Sequence, residues 1–466
     1  MYFENQTFLV AGISRSGIAA AEYLRGRGAE VFVFDDVEDK TVEESAQRLA
    51  GIGCIPVKKD LLFEKAEMCD VLVLSPGIPV DHALPVSFRR AGKRIIGESE
   101  LGALAIKCPV VAVTGTNGKT TTVTMLEGVF RAAGKNAIAC GNVGKPITSC
   151  LKELGEEGLA VAEISSFQLE TLTSLRPHVA VVLNISEDHL NRHYNMENYI
   201  FLKSRLLRNS TESEYAVLNY DDPVVRAFKD KTKAVVEWFS LKEKVEGAYL
   251  ENNWLCYQGE RIMSRDELPL DGEHNVANAL AALAAAKIMG VGNASIIAAF
   301  KSFRGIRHRL EKIGSVNGVS FIDDSKATNV DSAIKAIESV KGETVLLVGG
   351  KDKGYSYEPL FEAIKKSSVV HAVLYGENAF RILDAAVKSR FTSVTLCRPF
   401  DLAVRVAYLT AKRGQNVLLS PASASFDAFK NYEERGDRFR EMYKTILKER
   451  EGANDLAGDA REDPYE

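Results

Sequence analysis

Short runs of apolar residues recur along the chain, each followed by a polar or glycine-rich turn and then by a longer segment with apolar positions three or four apart. The short runs read as buried strands and the longer segments as amphipathic helices; their alternation implies parallel sheets covered by helices. Three blocks emerge. In the first, from Thr7 to about Lys107, a strand Thr7–Ala11 leads through a turn at 12–17 into a helix Ile18–Arg27 and a second strand Glu30–Asp35, the opening of a Rossmann-like unit. A further strand, Val71–Leu74, ends in the tight turn Ser75-Pro76-Gly77. The second block, 108–305, opens with a strand Pro109–Val113 and a helix from Lys119 to about Ala133; strands Ala160–Ile164 and Val179–Asn184 follow, and an alanine-rich helix from Asn275 to about Ile288 closes it. The third, 306–450, has strands Val319–Asp323, Thr344–Val348, Ala372–Tyr375 and Asn416–Leu419.

The length of 466 residues agrees with several domains. No apolar run approaches the roughly 18 residues of a membrane helix, and Met1 to Asn5 lack the basic and apolar regions of a secretory signal, so a cytoplasmic location and no membrane partner are expected. Seven scattered cysteines contain no Cys-x-x-Cys pair and read as reduced packing residues. The net charge is −4, and the tail 451–466 supplies six of the acids against one Arg. Without it the body is near neutral, which argues against a nucleic-acid partner. The tail has little to bury and is expected to be disordered.

Candidate chemistry sits where strands end. The stretch Val113-Thr114-Gly115-Thr116-Asn117-Gly118-Lys119-Thr120-Thr121 joins a strand to a helix through small residues, so backbone N–H groups and the helix dipole face one point. It matches G-x-x-G-K-T, shorter than the common phosphate loop; Lys119 would reach the β/γ-phosphates and Thr120 would offer a hydroxyl to Mg²⁺. Glu163 and His189 follow later strands, where a carboxylate and an imidazole can help hold a cation, although an isolated His is more often structural. Asn275 and Asn278 share a helix face and either read a base edge or cap the helix. Arg307-His308-Arg309, the run from Asp323 to Asn329, Gly349 to Lys353 and the run from Ser420 to Asp427 place charges and small polar groups after strands or at a junction, the pattern of a site for charged ligands.

Together these motifs resemble the Mur ligase family over roughly residues 7–450. The family motifs are the loop at 114–121, His274-Asn275 with Asn278 to Ala282, His308-Arg309, and Asp323 to Asn329. The Rossmann-like first block, Ser75-Pro76-Gly77, Ser165 to Glu170, Ser420 to Asp427 and Glu434-Arg435-Gly436 resemble the branch that adds D-glutamate. The resemblance implies an α/β protein of three domains: a Rossmann-like domain for the UDP-sugar, a P-loop-type central ATPase domain and a Rossmann-like C-terminal domain for the amino acid. It implies an ATP-dependent ligase joining D-glutamate to UDP-N-acetylmuramoyl-L-alanine through an acyl phosphate, with two Mg²⁺ ions. By that resemblance Ile13, Ser14, Arg15, Asp35, Asp36, Ser75, Pro76, Gly77 and Asn142 contact the UDP-sugar. Gly115 to Thr121, Asn275, Asn278, Arg309 and Asp324 contact ATP. Thr120, Glu163, His189 and a carbamylated Lys203 serve the metals, and Lys326, Thr328, Lys353, Ser425 and Tyr432 serve D-glutamate and the reacting phosphate. Apart from the resemblance, Lys203 reads as a helix surface lysine. The segment His193-Tyr194 departs from the usual sequence and receives no function. Closure of the third domain over ATP is also expected, because the implied contacts are split between blocks.

Three other readings remain at this point. One is a sister ligase with another amino acid or a folate substrate; another is a P-loop switch without turnover. The third, a dehydrogenase, is weak because Ser14 stands where the second Gly of G-x-G-x-x-G would admit a pyrophosphate. A monomer suffices for any of them.

Overall fold

The three apolar blocks become three sheets. The computed structural model describes residues 5–37, 40–270 and 272–459, with side chains described to 450. The first sheet is wholly parallel, in the spatial order Ile55–Pro56, Glu30–Phe34, Thr7–Ala11, Val71–Leu74, Arg94–Ile96. Its three central strands are buried apart from Thr7 and Glu30, as continuous Val/Leu/Phe runs require when helices cover both faces.

In the nine-stranded second sheet, Val110–Thr114 lies between Leu159–Glu163 and Val179–Val182 and is parallel to both. Here the expectation of parallel sheets needs correction. Gly247–Glu251, Trp254–Tyr257 and Glu260–Ser264 extend one edge as an antiparallel meander. These strands mix apolar and polar residues, and the turns at Asn252-Asn253 and Gln258-Gly259 adopt positive φ, which suits direct antiparallel reversals. The six-stranded third sheet likewise begins with an antiparallel pair, Glu311–Val316 with Val319–Asp323, before four further parallel strands.

The chain divides into two compact units. The first comprises Met1–Ile185, Arg192–Pro269 and Val276–Phe303, so the first two sheets belong to one unit. The second comprises Ser186–Asn191, Leu270–Asn275 and Arg304–Glu466. The last helix runs Tyr432–Asp459, continuing into the acidic tail expected to be disordered; 460–466 lie outside the described residues. All seven cysteines are buried and unbridged. Among the described residues, no helix is long and apolar enough to cross a membrane.

Candidate functional site

The phosphate loop is built by its neighbours. Strand Val110–Thr114 is wholly buried and ends where Gly115 (φ 147°) and Gly118 (φ 87°) turn the backbone into helix Lys119–Ala132. Asn184 clamps the loop from the next strand: its Oδ1 accepts from the Asn117 amide at 2.8 Å, its Nδ2 donates to the Asn117 carbonyl at 3.1 Å, and its own carbonyl accepts from the Thr116 amide at 2.8 Å. The Lys119 Nζ donates to the carbonyls of Gly115 and Thr116, both at 2.8 Å, which keeps the ammonium over the loop. Thr120 and Thr121 are buried in the first helical turn.

Asn278 is buried against this turn. A Cβ on Gly118 would lie 2.2 Å from its Oδ1, so Gly118 needs both its positive φ and its lack of a side chain. Gly118→Ala is expected to weaken ATP binding more than about tenfold through these combined strains, which a fluorescent-ATP titration would read. Unchanged affinity would show that the turn tolerates a Cβ.

Lys203 contradicts its reading as a surface lysine. On helix Met196–Ser204 it is only 1% exposed, with Nζ donating to the Gly115 carbonyl at 2.8 Å and lying 4.9 Å from the Tyr199 ring centroid. The Tyr199 hydroxyl bonds Thr116 Oγ1 at 3.1 Å. Lys203 and Tyr199 therefore support the phosphate loop from the protein interior.

Glu163 pairs in register with Val113 and is 1% exposed. Its Oε1 accepts from Asn142 Nδ2 at 2.7 Å, while Oε2 is buried without a hydrogen-bond partner. An unsatisfied carboxylate oxygen is costly and fits a hard cation that prefers oxygen ligands. Asn142 also receives Arg15: the guanidinium Nη2 donates to its carbonyl at 2.9 Å. The structure thus brings Arg15, Asn142 and Glu163 together.

The turn at Gly12–Ser14 meets the Ser75–Gly77 turn. Gly12 has φ 86°, and a Cβ there would sit 2.5 Å from Ser75 Cβ. Ile13 is buried, Ser14 and Gly77 are exposed, and Ser75 and Pro76 are half-buried. Asp35 is occupied locally: its carboxylate accepts from the Ile13 amide at 2.8 Å and the Val37 amide at 3.0 Å. Asp36 pairs with Lys59 at 2.8 Å on the surface. The acid at the end of the second strand therefore fixes the first turn rather than standing open.

The second unit gathers the remaining candidates. His189 adopts φ 56°, and its Nε2 lies 3.5 Å from Asp188. Asp188 is buried and accepts from Tyr355 Oη at 2.6 Å and Asn329 Nδ2 at 3.0 Å, with Lys353 Nζ at 3.8 Å. Burial pushes its carboxyl up, but His189, Lys353, Tyr355 and Asn329 outweigh that and leave it at about 2. Burial pushes the Lys353 ammonium down, opposed by Asp188. Lys353 Nζ also reaches the Thr328 carbonyl at 3.4 Å, while Lys326 Nζ bonds Tyr432 Oη at 3.0 Å and faces its ring at 4.7 Å. Ser425 is buried. Nearby, the fully buried Arg435 donates to Ser325 Oγ and to the carbonyls of Ser325, Ser423 and Ala424, joining two candidate loops.

Arg309 is half-buried, as is Asn275 at the start of helix Glu273–Ile288, one turn before Asn278. Asp324 accepts from Ser420 Oγ at 2.8 Å and the Leu310 amide at 3.3 Å. Burial pushes its carboxyl up to about 7, against the Ser420 bond and the Arg309 charge. A pKa raised in the folded state means this group stabilises least when ionised: its contribution declines as pH rises from about 4, the unfolded value, through 7. Asp324→Asn is expected to raise the thermal midpoint by about 2–4 °C at pH 8 and to lose that gain by pH 4, read by calorimetry. A pH-independent change would contradict the assignment.

Of the residues that sequence reasoning missed, Asn184 ended a noted strand, Asp188 stood beside His189 and Arg435 lay in a noted motif, each without receiving a role, whereas Tyr199 and Tyr355 become visible only through contacts distant in sequence.

Two family models match the chain: the Mur ligase middle domain over residues 113–286 and the Mur ligase, glutamate ligase domain over 308–423. A Caldanaerobacter subterraneus protein named UDP-N-acetylmuramoylalanine--D-glutamate ligase is 39% identical, with 94% of this chain and 98% of the relative covered. The chain belongs to the Mur ligase family. A Solibacter usitatus relative of the same name is 41% identical, with 93% and 96% covered. In fold, this Mur ligase resembles UDP-N-acetylmuramate-alanine ligase MurC from Thermotoga maritima, at TM-score 0.62 and 20% identity over 95% of this chain and 99% of that one. MurF from Acinetobacter baumannii has the same TM-score at 18% identity, with 93% of each chain covered.

Proposed function

We propose that this Mur ligase joins D-glutamate to UDP-N-acetylmuramoyl-L-alanine at the expense of ATP. The observation that carries this reading is its 39–41% identity, over nearly the whole chain, to relatives named for that activity. The reaction requires two anions to meet. The alanyl carboxylate attacks the γ-phosphorus of ATP, the bond to ADP breaks, and an acyl phosphate forms. The D-glutamate amine then attacks the acyl carbon, loses its proton, and inorganic phosphate leaves. Phosphorylation supplies the leaving group that a carboxylate lacks, and positive charge must offset repulsion in the first step.

The residues suit those needs. The amides of Gly115 to Thr121 and Lys119 Nζ would hold phosphate oxygens, with Lys119 exchanging its loop carbonyls for them. The unpartnered Glu163 oxygen and Thr120 would hold Mg²⁺; His189 is proposed as a ligand of a second ion, and a carbamate on Lys203 would orient Mg²⁺. Magnesium supplies charge neutralisation and orientation of the phosphates. Asn275, Asn278, Arg309 and Asp324 are proposed contacts of ATP. Lys326, Thr328, Lys353, Ser425 and Tyr432 are proposed to grip the two carboxylates of D-glutamate and the phosphate in flight. Ile13 to Arg15, Ser75 to Gly77 and Asn142 take the UDP-sugar; Asp35 takes part through its hold on the Ile13 amide, and Asp36 lies beside it on the surface. A monomer acting in the cytoplasm accords with soluble substrates of this kind.

The test is phosphate release from ATP and Mg²⁺ with UDP-N-acetylmuramoyl-L-alanine, comparing D-glutamate, L-glutamate, L-lysine and L-alanine. Release and a new UDP-peptide with D-glutamate alone are expected. Turnover with another amino acid would move the protein to a sister activity, and ATP binding without turnover would favour a nucleotide switch.

A further inference from the structure

Arg192 and Tyr194 have no part in the reaction above, yet both reach from the middle of the chain to the turn proposed to hold the UDP-sugar. Arg192 is largely buried. Its Nε donates to Glu170 Oε1 at 3.0 Å and its Nη2 to Glu170 Oε2 at 2.5 Å, while Cζ lies 5.0 Å from the Phe167 ring centroid. Glu170 and Phe167 belong to a short rigid segment just after Glu163, closed by a reciprocal capping pair between Ser165 and Gln168. The same Nη2 donates to the Ile78 carbonyl at 2.9 Å. The Ile78 amide in turn donates to the Ser75 carbonyl at 3.0 Å, closing the turn.

Tyr194 makes a second connection. It has φ 70°, uncommon for a bulky residue, and is 68% exposed. Burial does not account for that conformation, but its contact offers a reason: the hydroxyl donates to the Asp81 carboxylate, three residues beyond Ile78. The stretch leaving the turn is therefore held at two points, at Ile78 by Arg192 and at Asp81 by Tyr194. Because Ser75 abuts Gly12, fixing this turn also bears on the Gly12–Ser14 turn.

We propose that Arg192 and Tyr194 are positioning residues that brace the Ser75–Asp81 segment against the Glu163 end of the central sheet and thereby set affinity for the sugar nucleotide, leaving ATP affinity and the chemical step alone. The proposal rests on the assignment of Ser75 to Gly77 to the UDP-sugar. Its geometric part, bracing of the segment, can be read without substrate.

Tyr194→Phe and Asp81→Ala are the variants of choice, because each removes the surface hydrogen bond between Tyr194 and Asp81, whereas truncating Arg192 would strand the buried Glu170 carboxylate. Each is expected to raise KM for UDP-N-acetylmuramoyl-L-alanine about fivefold, the double variant to add little more, and KM for ATP and kcat to stay within about twofold of wild type. Hydrogen–deuterium exchange in peptides spanning Ser75–Asp81 is expected to quicken. Unchanged exchange and unchanged KM would overturn the proposal. So would a parallel rise in both KM values with a lower melting midpoint, the mark of a purely structural staple. Faster exchange in a wild-type background that forms no UDP-peptide would leave the brace but refute its role in sugar-nucleotide affinity, together with the functional assignment beneath it.

Discussion

Glu163→Gln is expected to lower kcat at least about 100-fold while moving the thermal midpoint by no more than about 3 °C. Glutamine keeps an oxygen to accept the Asn142 amide bond, now at 2.7 Å, and keeps the side-chain volume. What it removes is the negative charge, and with it the anionic oxygen that has no hydrogen-bond partner although it is buried. If that oxygen serves fold stability, losing its charge should alter unfolding as much as activity. If it serves a bound cation, activity falls alone and the Mg²⁺ concentration for half-maximal rate rises. Steady-state phosphate release across a MgCl₂ series, with calorimetry on the same samples, separates the two. A variant with wild-type kcat and the same Mg²⁺ dependence would remove Glu163 from the proposed metal site.

The phosphate loop was legible because its information is local: an apolar strand, glycines where the backbone must turn, and a helix directly after. The parallel core strands were legible for a similar reason, since burial on two faces demands a continuous apolar run, as in Thr7–Ala11 and Asn416–Leu419. The meander from Gly247 to Ser264 was not, because strands that mix polar and apolar residues lack that run. Within the site, what failed was anything decided by distant chain. Lys203 sits in a helix whose sequence does not mark it as inward-facing; its burial follows from contact with Gly115, 88 residues earlier. Asp188 owes its environment to Asn329 and Tyr355, 141 and 167 residues away. Asp35 shows the same limit: its hold on the Ile13 amide, 22 residues earlier, is not visible in the local sequence.

Lys203 yields the second large effect. As an ammonium it would be a cation supporting the Gly115 carbonyl at 2.8 Å; as a carbamate it would present an anion near the phosphate loop. Carbamylation joins the nitrogen of the neutral lysine amine to the carbon of CO₂ and releases a proton, a second having left the ammonium, so it depends on dissolved CO₂ and reverses when CO₂ is removed. The two roles make opposite forecasts for conservative changes. Lys203→Arg preserves positive charge and a donor, and a purely cationic role would let it retain much of the activity. The carbamate role predicts that both Lys203→Arg and Lys203→Ala lose about 10³-fold or more in kcat, because neither can form the anion. It also predicts that wild-type enzyme depleted of CO₂ slows and recovers on adding bicarbonate, with a carbamate resonance appearing after labelling with ¹³C-bicarbonate. Activity in Lys203→Arg, with no bicarbonate response in the wild type, would instead assign Lys203 to support of the loop: the side chain would remain important to its architecture, but Mg²⁺ would lose the anion proposed to orient it.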